Sequence, residues 1–311
     1  MKKFLCQLLI FMFPFYFVAI AIAIFYYIGY EIGELCDFDS LIEAQRKDHS
    51  AFIGMGYNEQ TAYYKISNAN YYKADVIALG TSRVMQFRSD YFSGNFYNCG
   101  GAVNENYDEY LNFLKNMNYS PQIVLLGLDS WVFNDEWNKS CQEYSVYAPI
   151  MLTDRSTMSI MKAIIQDYMD GKWGVKDIHK FGMNYGFNGR VRDEGFRWDG
   201  SYYYGTLFRD PERHPDYMFT NTFDRIAGGY GRFEWGSNID NETYECLEEL
   251  LDYCKQNNIE VIGFAPPLAP SIYNKMVQSG NYGYLHEIAP ACEQLFKRYD
   301  FLYVDYTDGA V

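Results

Sequence analysis

Basic charge is scarce in this sequence: 26 Lys and Arg stand against 40 Asp and Glu, for a formal net charge of −14. A protein that grips nucleic acid neutralises phosphates with a basic face, so this balance argues against such a partner. Histidine is sparse as well. His49, His179, His214 and His286 are the whole set, and none stands in an Asp-x-x-His pattern. The seven cysteines include no C-x-x-C pair and no zinc-like spacing, which argues against a cysteine-held metal. No internal repeat is evident. The glycine cluster Gly228-Gly229-Tyr230-Gly231 has no apolar strand before it and no Lys-Ser/Thr after it, so it does not read as a phosphate cradle.

Apolar and aromatic residues are abundant. Of the 311 residues 49% are hydrophobic, enough for a sizeable core in one large α/β domain or two small ones. Thirty-one tyrosines suit a wet surface that stacks on sugars, and equally a compositional habit of the genome. The clearest segment is the N-terminus, where Lys2 and Lys3 precede an uncharged run over 4–29. As a helix this run is about 39 Å long, more than a hydrocarbon core of about 30 Å. Pro14 is tolerable in a membrane helix, and Tyr26, Tyr27 and Tyr30 sit where an interfacial aromatic belt would sit. The run is too long for a signal-peptide core and no A-x-A-like site follows closely, so it reads as an uncleaved anchor. The two lysines favour an inside N-terminus and place the rest outside the cytoplasm. There disulfides are permitted, but the cysteines look scattered, and Cys246 and Cys254 share one apolar helix face as small buried thiols.

After a connector over 30–72, strand-like runs alternate with helical patterns. "DVIALG", "NFYNCGG", "PQIVLLGLD", "EVIGFAPP" and "FLYVDYTD" read as strands. Helices are expected over 104–116, 156–168, 237–256 and 284–298, the third opened by Ser237 or Asp240 and closed by Asn257-Asn258 in a left-handed turn. The order is β-α-β-α-β, an insertion over about 131–236, then α-β-α-β. It predicts a parallel sheet with helices on both faces. The insertion reads as a cover over the site, because it lacks the periodic apolar residues of its own core. Asn118-Tyr-Ser, Asn138-Lys-Ser and Asn241-Glu-Thr fit glycosylation triplets, which matter only in a eukaryotic secretory cell.

In such sheets ligands bind beyond the carboxyl ends of the strands. Those ends carry Gly80-Thr81-Ser82-Arg83, Cys99-Gly100-Gly101, Gly127-Leu128-Asp129-Ser130, Ala265-Pro266-Pro267 and Asp305-Tyr306-Thr307-Asp308. Ser82 is the candidate nucleophile, in need of a base and an oxyanion site; a plain turn and helix cap is the competing reading. Trp131, Phe133, Trp137, Trp198 and Tyr202-Tyr203-Tyr204 read either as a sugar-stacking platform or as packing of the insertion.

In order and spacing, "IALGTSR", "NCGG", "LLGLD" and "VIGFAPP" resemble the blocks of the SGNH/GDSL hydrolase superfamily. The resembling branch is membrane-anchored and extracytoplasmic, and includes proteins of teichoic-acid D-alanylation and polysaccharide O-acetylation. The likeness covers about 70–130 and 240–308. It implies a flavodoxin-like three-layer α/β/α fold, Ser82 as nucleophile, and Gly100 or Gly101 as backbone oxyanion donor. It implies an acylated cell-surface glycan as substrate, a membrane-bound acyltransferase as a partner, and no metal or organic cofactor. The family presents an asparagine where this chain has Asp129, and a carboxylate cannot donate unless protonated. That leaves Asp129 to pair with Arg83 or orient its loop. The family's base, a histidine after an aspartate beyond the last strand, has no counterpart before Val311. Either the chain stops short of that pair or it is a degenerate relative, a scaffold or binding partner in a polysaccharide-modifying complex. His179 and His214, in the insertion, are substitute candidates, while His286 reads as structural.

Overall fold

A computed structural model describes residues 2–103, 105–137 and 145–309. Asn104, the Asn138-Lys-Ser triplet and Cys141 lie outside the described residues, as do the side chains of Lys2, Lys3 and Cys6. The main helices are α1 (Lys2–Glu31), α2 (Phe38–Lys47), α3 (Thr61–Tyr72), α4 (Tyr107–Asn116), α5 (Asp154–Met169), α6 (Thr220–Gly228), α7 (Asn241–Gln256), α8 (Pro270–Ser279) and α9 (Leu285–Arg298). Five strands, β1 (Val76–Leu79), β2 (Phe96–Asn98), β3 (Ile123–Gly127), β4 (Glu260–Ala265) and β5 (Leu302–Asp305), form one sheet in the order β2-β1-β3-β4-β5. The recorded pairings are parallel, with Val76 beside both Phe96 and Ile123, Ile123 beside Glu260 and Ile262 beside Leu302.

The chain divides into two compact units. The sheet belongs to the unit built from Gln60–Ala148, Asp199–Tyr202 and Thr206–Val311. Side chains alternate along a strand, and here Ile77, Leu79, Val124, Leu126 and Val261 enter a core shared with α4, α7 and α9. Val76, Leu125 and Phe264 point the other way and are part-buried, packed with Val84, Phe87 and Phe92 from the link after β1. Leu302 is 55% exposed. One face is thus a full core and the other is incompletely covered.

Local chemistry sets several element ends where the sequence places them. Asp240 accepts the Thr243 N–H at 2.8 Å and starts α7, and Asn258 at φ 57° ends its turn. Thr153 and Ser156 form a reciprocal cap on α5. Between β1 and β2 the expected helix is replaced by two 3-10 turns, Ser82–Val84 and Ser89–Tyr91. Buried Asn98 explains the difference. Its Nδ2 donates to the Val84 and Phe87 carbonyls, both at 2.9 Å, and so takes acceptors that a helix would use for itself.

The other unit comprises Met1–Glu59, Pro149–Trp198 and Tyr203–Gly205. The sequence suggests a connector over 30–72 and a core-less insertion over 131–236; instead, parts of both join in a unit with its own core. Ile28, Ile32 and Leu35 pack there with Ile160, Met161, Ile164, Trp173, Ile178 and Phe187. Six of these nine come from the insertion, two from the connector and Ile28 from the end of the N-terminal run, so no single stretch carries the whole core. Buried Glu34 ties them together. It accepts the N–H groups of Gly56 (2.6 Å), Tyr57 (3.1 Å), Asn58 (3.0 Å) and Phe187 (2.7 Å). Four amides on one carboxylate offset its desolvation, although burial still pushes this carboxyl up.

The α1 helix is long and apolar enough over Ile10–Glu31 to cross a membrane, a property that a signal sequence near an N-terminus shares. Five described cysteines, Cys36, Cys99, Cys246, Cys254 and Cys292, are free thiols.

Lys65 on α3 is fully buried, with Nζ donating to the carbonyls of Asn98 (3.0 Å) and Gly200. Desolvation brings its pKa down to about 7. The unfolded lysine titrates near 10.4. Between pH 7 and 9 the unfolded chain therefore holds more protons, and stability rises with pH by roughly 2 kcal/mol from this group. Urea unfolding of wild type and Lys65→Met at pH 7 and pH 9 checks this; the variant is expected to lose that difference.

Candidate functional site

The site is built where β1 stops. Gly80, at φ 149°, turns the chain, and Ser82 opens the 3-10 turn with its side chain exposed. What holds the turn down is Val84, which is 1% exposed. A Cβ on Gly80, Gly100 or Gly127 would come within 3.0 Å of a Val84 methyl. Glycines ending three neighbouring strands thus make one seat for one side chain. For Gly100, which the resemblance implies as an oxyanion donor, that is a packing reason to be glycine.

Beneath the turn lies Asp129, 1% exposed, just past β3. It accepts Thr81 Oγ1–H at 2.6 Å and Arg83 Nη1–H at 2.8 Å. Burial pushes its carboxyl up, against the pull of the Arg83 guanidinium and the Thr81 hydroxyl. Arg83 also donates to the Pro267 carbonyl, beyond β4, and lies 5.6 Å from the Trp131 ring centre. Trp131 Nε1–H donates to Glu105 at 2.8 Å; Arg232 pairs with the same carboxylate and lies 5.4 Å from the Trp131 ring. Each guanidinium near the turn therefore has a carboxylate counterpart, which lets charge sit at a partly buried rim.

Ser82 and Arg83 open onto a cleft of about 270 Å³ whose walls include Trp131, Arg225, Arg232 and Phe233, with Leu268 and Ile272 from the segment after β4. Asp216 and Phe219 also face it. Arg225 is held by Asp216 at 3.6 Å and donates to Thr222 Oγ1 at 2.8 Å.

Of the residues expected at the site, Ser82 and Arg83 line this cleft and Asp129 supports it from below. The glycine amides are arranged differently from expectation. Gly100 N–H donates to Asn98 Oδ1 and Gly101 N–H to the Gly80 carbonyl, both at 2.8 Å. The fold uses both donors for itself, as it does nearly all buried amides. In the structure Gly100 and Gly101 thus serve the packing and the turn. Of the two readings of the aromatic set, three members show packing: Trp131 is 8% exposed under its arginines, Phe133 is core, and Trp198 stacks on His49 in the other unit. His214 accepts the Asp216 N–H, His286 is exposed on α9, and His179 lies 3.6 Å from Glu31 in the other unit; none is a cleft-lining residue. Gly229, at φ 65°, simply caps α6.

Thr81, Asn98, Glu105 and Arg232 escape sequence reasoning. Thr81 and Asn98 stand within the strand-end motifs, but their partners lie on other segments. Arg232 and Glu105 are 127 residues apart. No protein-family model, no curated protein and no solved structure matches the chain.

Two variants test the geometry by denaturant unfolding. Gly127→Ala is expected to lose about 1–3 kcal/mol, because its methyl has no room beside Val84. Arg83→Leu leaves Asp129 buried and unpaired and is expected to lose about 3–5 kcal/mol, most of it regained in Arg83→Leu/Asp129→Leu.

Proposed function

We propose that the chain is a membrane-anchored, extracytoplasmic serine esterase or acyltransferase of the SGNH type, acting on acyl groups of cell-surface glycans. The observation that carries the reading is the exposed Ser82 hydroxyl at the carboxyl end of β1, in the mouth of a cleft. The strand order 2-1-3-4-5 supports a flavodoxin-like arrangement, whose ligands bind at this rim. The span over Ile10–Glu31, with Lys2 and Lys3 before it, supports an anchor with the sheet unit outside the cytoplasm.

In this reading Ser82 Oγ attacks an acyl carbonyl, its proton passes to a base, and the carbonyl oxygen becomes an oxyanion. The glycine amides are spent, so stabilisation falls to the Ser82 N–H and to Arg83, which has five N–H donors and gives two to Asp129 and Pro267. Collapse of the tetrahedral centre expels the sugar oxygen, which takes a proton, and leaves an acyl-serine. Water or a second sugar hydroxyl then accepts the acyl group. A membrane-bound acyltransferase is a fitting donor partner.

A second reading is a binding or scaffold protein that keeps the fold without turnover. The inward use of the Gly100 and Gly101 amides favours it, together with a cleft lined by no histidine among the described residues.

A fluorophosphonate probe on the full-length protein in detergent separates the two. Labelling of wild type that disappears in Ser82→Ala is expected. Labelling that persists in the variant removes Ser82 from the nucleophile role, and an unlabelled folded wild type supports the scaffold.

A further inference from the structure

We infer that the groove between α1 and α5 is a binding site for one anionic phospholipid at the outer membrane surface. The groove has a volume of about 680 Å³, within the range of small-molecule sites, and a mainly apolar surface with polar side chains along one edge. Ile22 and Tyr26 of α1 form one wall; Met158, Met161, Lys162 and Ile165 of α5 form the other, with Asp154, Thr157 and Gln166 along its edge. All belong to the unit that contains the N-terminal helix.

The depth of the groove follows from α1. Ile10, Phe13, Phe17, Ile20, Ile22 and Ile24 are each more than half exposed, an apolar surface that water does not tolerate on a span. Four residues past Ile24, Ile28 is 4% exposed and packs in the protein core. The helix therefore passes from lipid to protein over about one turn. Tyr26, Tyr27 and Tyr30, all exposed, mark the polar boundary there. The groove spans that turn, so its Ile22 end faces acyl chains and its Tyr26 end faces headgroups.

The α5 helix reaches the same level because it packs directly on α1. Ile164 is fully buried there, and a Cβ on Gly29 would touch its Cδ1 at 3.2 Å. The stripe beside that contact runs 154, 157, 158, 161, 162, 165 and 166, one continuous helix face. Met158 is 73% exposed on it. Such a face, apolar with a long basic side chain at its margin, is the pattern of a helix that lies in the interface plane. Lys162 lines the groove and is exposed, so its ammonium can meet a lipid phosphate while its stem covers the groove. Asp154, also on the lining, lies in the first turn of α5, about 12 Å along the helix from Lys162, and its negative charge leaves the Lys162 end as the place for an anionic headgroup. Bilayer lipid is the occupant this groove fits, because its α1 wall is itself part of the apolar, exposed surface of the span.

This inference rests on the anchor part of the proposed function and not on Ser82. It is tested in nanodiscs of neutral lipid doped with a phosphatidylglycerol that carries a photoreactive acyl chain, with crosslinks mapped by mass spectrometry on the full chain. Crosslinks on both α1 and the 158–165 stretch are expected. Lys162→Glu should lower α5 crosslinking to the anionic probe several-fold, and lower crosslinking to a phosphatidylcholine probe, whose phosphate is offset by its own choline, by clearly less. Crosslinks on α1 alone overturn the site while leaving the anchor in place. No lipid crosslink on either helix overturns the anchor and this site together. Protein–protein crosslinks at 158–165 in place of lipid assign the groove to a partner helix and also overturn the proposal.

Discussion

The candidate site depends on how close one valine can come to three strand ends. Val84 sits where methyl groups on Gly80, Gly100 or Gly127 would have to be, and its burial pulls the Ser82–Val84 turn onto the sheet. Close-packed interiors do not absorb extra methylenes without moving something, so these positions are constrained together. Asn98 adds the polar half of the constraint: it caps two carbonyls of the turn link and takes the Gly100 amide. The exposed hydroxyl of Ser82 is thereby carried on backbone held from below by packing and from the side by hydrogen bonds.

Charge is handled by the same logic of local compensation. A net charge of −14 makes cations valuable, and the cleft holds Arg83, Arg225 and Arg232 against Asp129, Asp216 and Glu105. Elsewhere Glu34 is answered by four amides, and Lys65 by two carbonyls. Each is costly to bury alone and tolerable with partners. The pairs at the cleft also fix the guanidinium planes, so Arg83 is positioned before any ligand arrives.

Much of the parallel sheet was legible in the sequence. All five strand runs form strands; β1, β3 and β4 are runs rich in Val, Ile and Leu that end in glycine or proline, a pattern with few other stable fates. Helices α4, α5, α7 and α9 fall within a few residues of their expected positions, since caps and apolar periodicity are local signals. The division into two units was not legible. Its second core is pooled from stretches more than a hundred residues apart, and periodicity read along one segment is blind to apolar residues supplied by another. The helix expected between β1 and β2 failed for a related reason: the residue that competes for its carbonyls, Asn98, arrives only after the chain has returned.

By itself, then, the sequence determined which segments become strands and helices, that one N-terminal helix is apolar enough for a membrane, and that Ser82, Arg83 and Asp129 stand at neighbouring strand ends. These follow from spacing and from burial preferences, which act over a few residues. The tertiary structure alone decided that Asp129 accepts from Thr81 and Arg83, that Gly100 and Gly101 spend their amides inward, and that α5 packs on α1. Hydrogen-bond donors are committed, and apolar faces find their partners, only once distant segments meet.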